Sequence, residues 1–174
     1  MPQLFTGRVR DADPADAPAV SAIYNQGIED RCATFEVRLR SAEEMRDQIA
    51  RIGEGFPFLV AEATGRGVVV GWASTTVYRP RECYRGVGEF SVYVAREARG
   101  QGAGRALLDA LVQAARRAGY WKLVSRIFTF NHASLTLCHR VGFRTVGVYQ
   151  RHGRLDGRWL DVTIVERLIP ENQP

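Results

Sequence analysis

Lysine is nearly absent: Lys122 is the single lysine among 24 basic residues, the other 23 being arginine. The guanidinium groups behind the net charge of +5 are scattered along the chain. They form no basic stripe with interleaved aromatics, so no nucleic-acid partner is expected. Cysteine is scarce as well. Cys32, Cys83 and Cys138 make no CxxC pair and leave one odd, which argues against structural zinc and fits a reduced cytosolic protein. The histidines His132, His139 and His152 lack HExxH-type spacing, so no metal is expected. No apolar run approaches the ~20 residues that cross a membrane. Met1–Arg10 has no apolar stretch of signal-peptide type, so no membrane partner and a cytoplasmic location are expected. Repeats, linkers and low-complexity segments are missing too.

What is present is an ordinary globular composition, 45% hydrophobic and 25% charged over 174 residues. A chain of this size buries about 70% of its unfolded surface, which suits one domain over residues 1–174 with a core at about 8–168. A short strand ends at Val9–Asp11, and Asp13 caps Pro14 to open a helix running to about Glu29. Arg31–Arg40 reads as a loop. Ser41 with Glu44 makes a capping box for a second helix that stops at Gly53. Phe58–Glu62 and Val68–Tyr78 read as strands around a Thr64–Gly67 turn, and a polar link, Arg79–Gly86, leads to a strand at Val87–Val94. Gly100–Gly104 opens a helix through Ala118 with Leu107, Leu108, Leu111 and Ala115 as its stripe. Leu123–Ile127 is a strand, Ser134–Val141 a helix, and Val146–Tyr149 and Val162–Leu168 close as strands. The order predicts an α/β (α+β) fold, a mixed sheet with helices on both faces.

Arg99-Gly100-Gln101-Gly102-Ala103-Gly104-Arg105 lies between a strand and a helix. Free N–H groups at a helix start attract anions, and glycine lets backbone approach a phosphate closely. The segment is not a Walker loop, because no Lys or hydroxyl follows the glycines. Nor is it a dinucleotide fingerprint, because Arg105 stands where the third Gly belongs. What remains is [RQ]xxGx[GA], from Arg99, Gly102 and Gly104. That pattern resembles the pyrophosphate loop of the GNAT N-acetyltransferases, which bind acetyl-CoA. Asn131–Ser134 and Val141–Phe143 resemble their next conserved segment.

The match narrows upstream. Ile23–Glu29, Ala33–Phe35, Phe56–Glu62, Tyr84–Val94 and Gly157–Val162 resemble the phosphinothricin acetyltransferase family, whose members also acetylate methionine sulfoximine, methionine sulfone and arsinothricin. The resemblance spans about Val9–Leu168. It implies the GNAT sandwich, a homodimer, acetyl-CoA as co-substrate and a small amino-acid acceptor. Position by position, it implies that Val92, Tyr93 and Val94 line the pantetheine arm through their backbone. It puts Arg99 and Gly100–Arg105 at the pyrophosphate, with Gln101 and Ala103 inside that segment. Asn131 would bond to the coenzyme, with Ser134 either a second contact or a helix cap. Phe35, Arg79, Arg85 and Glu29 would meet the acceptor, Arg81 less so. Trp159 and Asp161 would be structural or interfacial.

The reaction needs a neutral amine, and the resemblance puts Glu89 on the family's proposed catalytic glutamate. Such a carboxylate takes the ammonium proton directly or through water if burial brings its pKa towards neutrality. Backbone N–H groups of residues 89–94 are the expected donors to the thioester oxygen as charge develops there. At the position where close relatives carry His, this chain has Cys138, followed by His139. Cys138 is expected to pack rather than donate a proton. A protein N-terminus or another small amine as acceptor would need an open groove. A non-catalytic acetyl-CoA sensor would be favoured by a broken Glu89 or glycine loop, and both are intact.

Overall fold

Two prolines shape the first turn of the chain. In the computed structural model, which describes residues 5–65 and 67–173, the Asp13 carboxylate accepts the Ala15 N–H at 2.8 Å. The Asp16 carboxylate accepts the Asp13 N–H at 2.7 Å. This capping box starts a 3-10 turn, Pro14–Asp16, that runs into α1 (Ala17–Glu29). The sequence predicts one continuous helix here. Pro18 has no N–H to give the Pro14 carbonyl, which is taken instead by Ala17 one residue earlier, and that closes a 3-10 turn. The second capping box behaves as expected, Ser41 accepting from the Glu44 N–H, but α2 is α-helical only over Ala42–Ala50. Its last turn, Arg51–Glu54, tightens to 3-10 before Gly55 at φ +89°.

Among the described residues the sheet has seven strands: β1 (Gly7–Asp11), β2 (Phe58–Ala63), β3 (Val68–Val77), β4 (Val87–Val94), β5 (Lys122–Phe128), β6 (Arg144–Leu155) and β7 (Arg158–Leu168). Their order is β1-β2-β3-β4-β5-β7-β6, and only β4–β5 is parallel. Helix α3 (Ala103–Arg117) makes the crossover between these two, and α4 (His132–Arg140) follows β5. The mixed sheet with helices on both faces is as the sequence predicts. The closing hairpin is longer than predicted. β6 and β7 continue to a two-residue turn at Asp156-Gly157, where both residues have left-handed φ (+46° and +80°). This is the geometry that matches the twist of a tight hairpin.

Leu107, Leu108, Leu111 and Ala115 are fully buried on α3, against Leu123 and Val165 of the sheet. Each such leucine contributes about 1.5–3 kcal/mol by leaving water. On the opposite face, Val20, Ile23, Met45 and Ile49 of α1 and α2 pack on Phe58, Val60 and Trp72. Among the described residues no helix is long and apolar enough to cross a membrane. The Met1–Arg10 stretch and the Thr64–Gly67 turn lie in part outside the described residues.

Candidate active site

Strands β4 and β5 stay together for only a few residues. Val87, Gly88 and Glu89 pair with Lys122, Leu123 and Val124. One further tie follows, the Ser125 hydroxyl donating to the Phe90 carbonyl at 3.0 Å. Beyond it each strand follows its own antiparallel neighbour, β4 along β3 to Val94 and β5 along β7 to Phe128. The sheet therefore opens, and a cavity of about 660 Å³ occupies the split.

Alternation along β4 sets what faces the opening. The Ala95 N–H bonds to Val70 of β3 at 2.9 Å, and the β3–β4 register is unbroken. An extended residue turns its N–H and C=O to the same side. Residues 91 and 93 thus point their backbone at β3, whereas 92 and 94 point theirs into the split. The Val92 N–H and C=O face the gap. The Val94 carbonyl does too, and it accepts from Arg99 Nε at 3.0 Å. Tyr93 offers its side chain instead. Its ring stacks on Trp72 and meets Tyr24 edge-on at 4.8 Å, and burial pushes its hydroxyl pKa well up.

The glycine segment divides by role. Gly100 and Gly102 have φ +75° and +94°, conformations that favour glycine. Gly102 caps α3 with no side-chain bond, so the N–H groups at the helix start point outward. Gly104 lies inside the helix, where a Cβ would stand 3.2 Å from Leu137 Cδ2, so its role is close packing of α3 on α4. The neighbouring side chains are engaged with protein. Arg99 Nη1 binds Asp30 at 2.7 Å, Gln101 donates to the Glu97 carbonyl at 2.7 Å, Arg105 pairs with Asp109 at 3.5 Å, and Ala103 is buried. Arg96, with Arg99, holds the Asp30 carboxyl below its usual range.

Asn131 caps α4 by accepting the Ser134 N–H at 3.1 Å, and its amide donates to the Cys32 carbonyl at 2.9 Å. It ties the loop after α1 to the cavity wall. Ser134 is therefore not the cap, and it lines the cavity. Cys138 also lines it, and burial pushes its thiol up to about 12. His139 turns away to Thr145, 3.0 Å from its hydroxyl.

Phe35 stands in the cavity wall, edge-on to Phe128 at 4.7 Å. The room for it comes from Gly153, where a Cβ would fall 2.6 Å from the ring. A shift in the β6–β7 register between Tyr149 and Gly153 aims His152 and Gly153 at the cavity. Asp161 steadies that bulge by accepting the N–H of Arg151, which has φ +47°, at 2.7 Å. Asp161 is thus structural, and Trp159 is exposed.

Three expected acceptor residues lie elsewhere. Glu29 is paired with Arg96 at 3.0 Å on the surface. Arg79 lies over the Tyr78 ring at 5.4 Å, and Arg85 is held by Glu82 within an exposed 3-10 turn. None of the three lines the cavity. The arginines in the wall are Arg38, whose guanidinium is taken by Glu44, and Arg126 on β5, whose Nε donates to Glu89 Oε1 at 3.0 Å. The sequence signal for Arg126 is an arginine among the apolar residues Leu123, Val124, Ile127 and Phe128 of β5, a strand that also carries Lys122 and Ser125. Arg38 and His152 gave none, since their placement depends on a loop and a bulge.

The family described as acetyltransferase (GNAT) domain matches residues 9–164. A Pseudomonas paraeruginosa protein named L-methionine sulfoximine/L-methionine sulfone acetyltransferase is 40% identical over 93% of this chain and 94% of its own. Among solved structures, a Brucella melitensis protein described as ribosomal-protein-alanine N-acetyltransferase superposes with TM-score 0.88. It is 39% identical, over 93% of this chain and 99% of its own. A Sinorhizobium meliloti phosphinothricin acetyltransferase in complex with acetyl-CoA gives TM-score 0.88 at 34% identity, over 94% and 89%.

Proposed function

The chain belongs to the GNAT acetyltransferase family, and from that premise we propose that it moves the acetyl group of acetyl-CoA to the α-amino group of a small glutamate-like amino acid, of the phosphinothricin, methionine sulfoximine/sulfone or arsinothricin type. The observation that carries this reading is Glu89, which stands where β4 and β5 part and lines the cavity together with Phe35 and Val92.

The residues fit the coenzyme. The outward N–H groups of the Gly100–Gly104 turn suit a pyrophosphate, and open space lies where a Gly100 Cβ would project. The Val92 backbone is free to pair with an amide of the pantetheine arm. Acetyl-CoA supplies an acetyl group activated as a thioester. Glu89 accepts the proton of the acceptor's ammonium, directly or through a water. The Val92 N–H, pointing into the split, is the backbone donor suited to a developing oxyanion. Cys138, with its thiol pushed up to about 12, keeps its proton and packs. Asn131 acts on the coenzyme side by fixing the start of α4, and Ser134 presents its hydroxyl to the cavity.

Incubation with acetyl-CoA and phosphinothricin or methionine sulfone should give the N-acetyl product by mass spectrometry; absence of both products would remove the acceptor reading. Acetyl-CoA at 100 times its Kd should add about 2.7 kcal/mol of stability, raising Tm by roughly 5–10 °C. Gly100→Val should lose that rise, since its side chain enters the phosphate space, and an undiminished rise would refute the pyrophosphate assignment.

A homodimer is part of the same reading. β6 is a sheet edge with Val146, Val148 and Tyr149 exposed, and an open apolar edge favours pairing with a second chain. Sedimentation should give twice the chain mass, and Val148→Lys should shift it towards one. A monomeric wild type would rule the dimer out.

A further inference from the structure

Arg126 binds Glu89 through one carboxylate oxygen. Nε donates to Glu89 Oε1 at 3.0 Å, and Nη2 reaches the same atom. Oε2 is left free of that guanidinium, and Nη1 is not used in the pair. Both side chains remain accessible, Arg126 half exposed and Glu89 a quarter, and both line the cavity. Among the described residues the ion-pair partner of Arg126 is Glu89, whereas Arg38 is occupied by Glu44. Arg126 is the wall's arginine whose charge is balanced by the proposed base itself.

An α-amino acid carries an ammonium and a carboxylate on one carbon. An amine brought to Glu89 for deprotonation necessarily brings its α-carboxylate within reach of whatever cation adjoins Glu89. We propose that the Glu89–Arg126 pair reads this zwitterion: Glu89 takes the ammonium, and the Arg126 guanidinium takes the α-carboxylate. Arg126 is then the residue that restricts the acceptor to free α-amino acids. The inference rests on Glu89 being the base.

The exchange conserves charge. One protein ion pair opens into two pairs with the substrate, so no guanidinium or carboxylate is left alone in the cavity. A guanidinium suits this role because its planar fork grips a carboxylate with parallel bonds. A protein N-terminus lacks the carboxylate on that carbon, which is an amide there. Such an acceptor would leave Arg126 paired to Glu89 and the base engaged.

The test compares kcat/KM for methionine sulfone and for its α-carboxamide, in wild type, Arg126→Gln and Arg126→Lys. Losing a charge-assisted contact corresponds to about 10–100-fold. The wild type should prefer the acid by that factor. Arg126→Gln should bring the ratio close to unity through a raised KM for the acid, and Arg126→Lys should keep part of it. The acetyl-CoA rise in Tm, unchanged in both variants, would show that the fold and coenzyme site are intact. Equal losses on acid and amide, or a wild type indifferent between them, would overturn the zwitterion reading alone. A wild type inactive on both would overturn the acceptor reading and this inference with it.

Discussion

Glu89→Gln is expected to lower kcat by about 10²–10⁴-fold, the usual cost of removing a general base, while acetyl-CoA still raises Tm as in the wild type. Glutamine keeps the shape of the side chain and one oxygen for Arg126 Nε to bind, now at 3.0 Å. It loses the capacity to take a proton. In the proposed reading the coenzyme is held by other parts: the Gly100–Gly104 turn, the Val92 backbone and the Asn131 cap of α4. The substitution therefore separates chemistry from coenzyme binding. Measured from pH 6 to 9, a loss below threefold would show that another group or solvent removes the proton. A loss confined to low pH would show that the free amine, once formed, needs no base at this position.

Much of this arrangement could be read from residues because it is local. The Asp13 cap, the Ser41 capping box, the α3 stripe and the glycine turn depend on neighbours a few positions apart, and each forms where the sequence puts it. The opening of the sheet does not depend on neighbours in that way. It arises because β4 keeps to β3 and β5 keeps to β7, pairings between segments far apart in the chain. The positions of the expected acceptor arginines depend on such pairings too. Arg79 and Arg85 sit just before β4 in the chain, but Tyr78 and Glu82, each within three residues, hold them at the surface of this chain. Arg126 lies 37 positions from Glu89 and reaches it across adjacent strands. In the β6–β7 hairpin Asp156-Gly157 is a strong turn signal, but the bulge at Arg151 breaks the alternation before it and hides the full strand length.

Acid should unfold this protein steeply, with the urea midpoint level between pH 7 and 5 and falling sharply below about 4. Asp16 is held below its usual range by Arg10, Asp30 by Arg96, and Glu62 by Arg10 and Arg8. Glu44, beside Arg38 and the Ser41 N–H, is lowered to about 2. Burial works to raise Glu166, but Lys122 and Arg144 outweigh it and the net shift is downward. A carboxyl lowered on folding binds fewer protons in the folded than in the unfolded state, so stability rises with pH. The contribution is complete above the unfolded values, about 3.9 for Asp and 4.3 for Glu, and is lost as pH falls through the folded ones. The pairs are not equal. Exposed ones such as Glu44 with Arg38 are screened by salt. Asp16, with a side chain only 10% exposed and two bonds to Arg10, is screened less. Added salt should therefore flatten part of the acid slope. Asp16→Asn should flatten a further part, at the cost of a lower midpoint at pH 7. A midpoint that holds level to pH 2.5 would show that these carboxyls gain nothing from their arginines on folding.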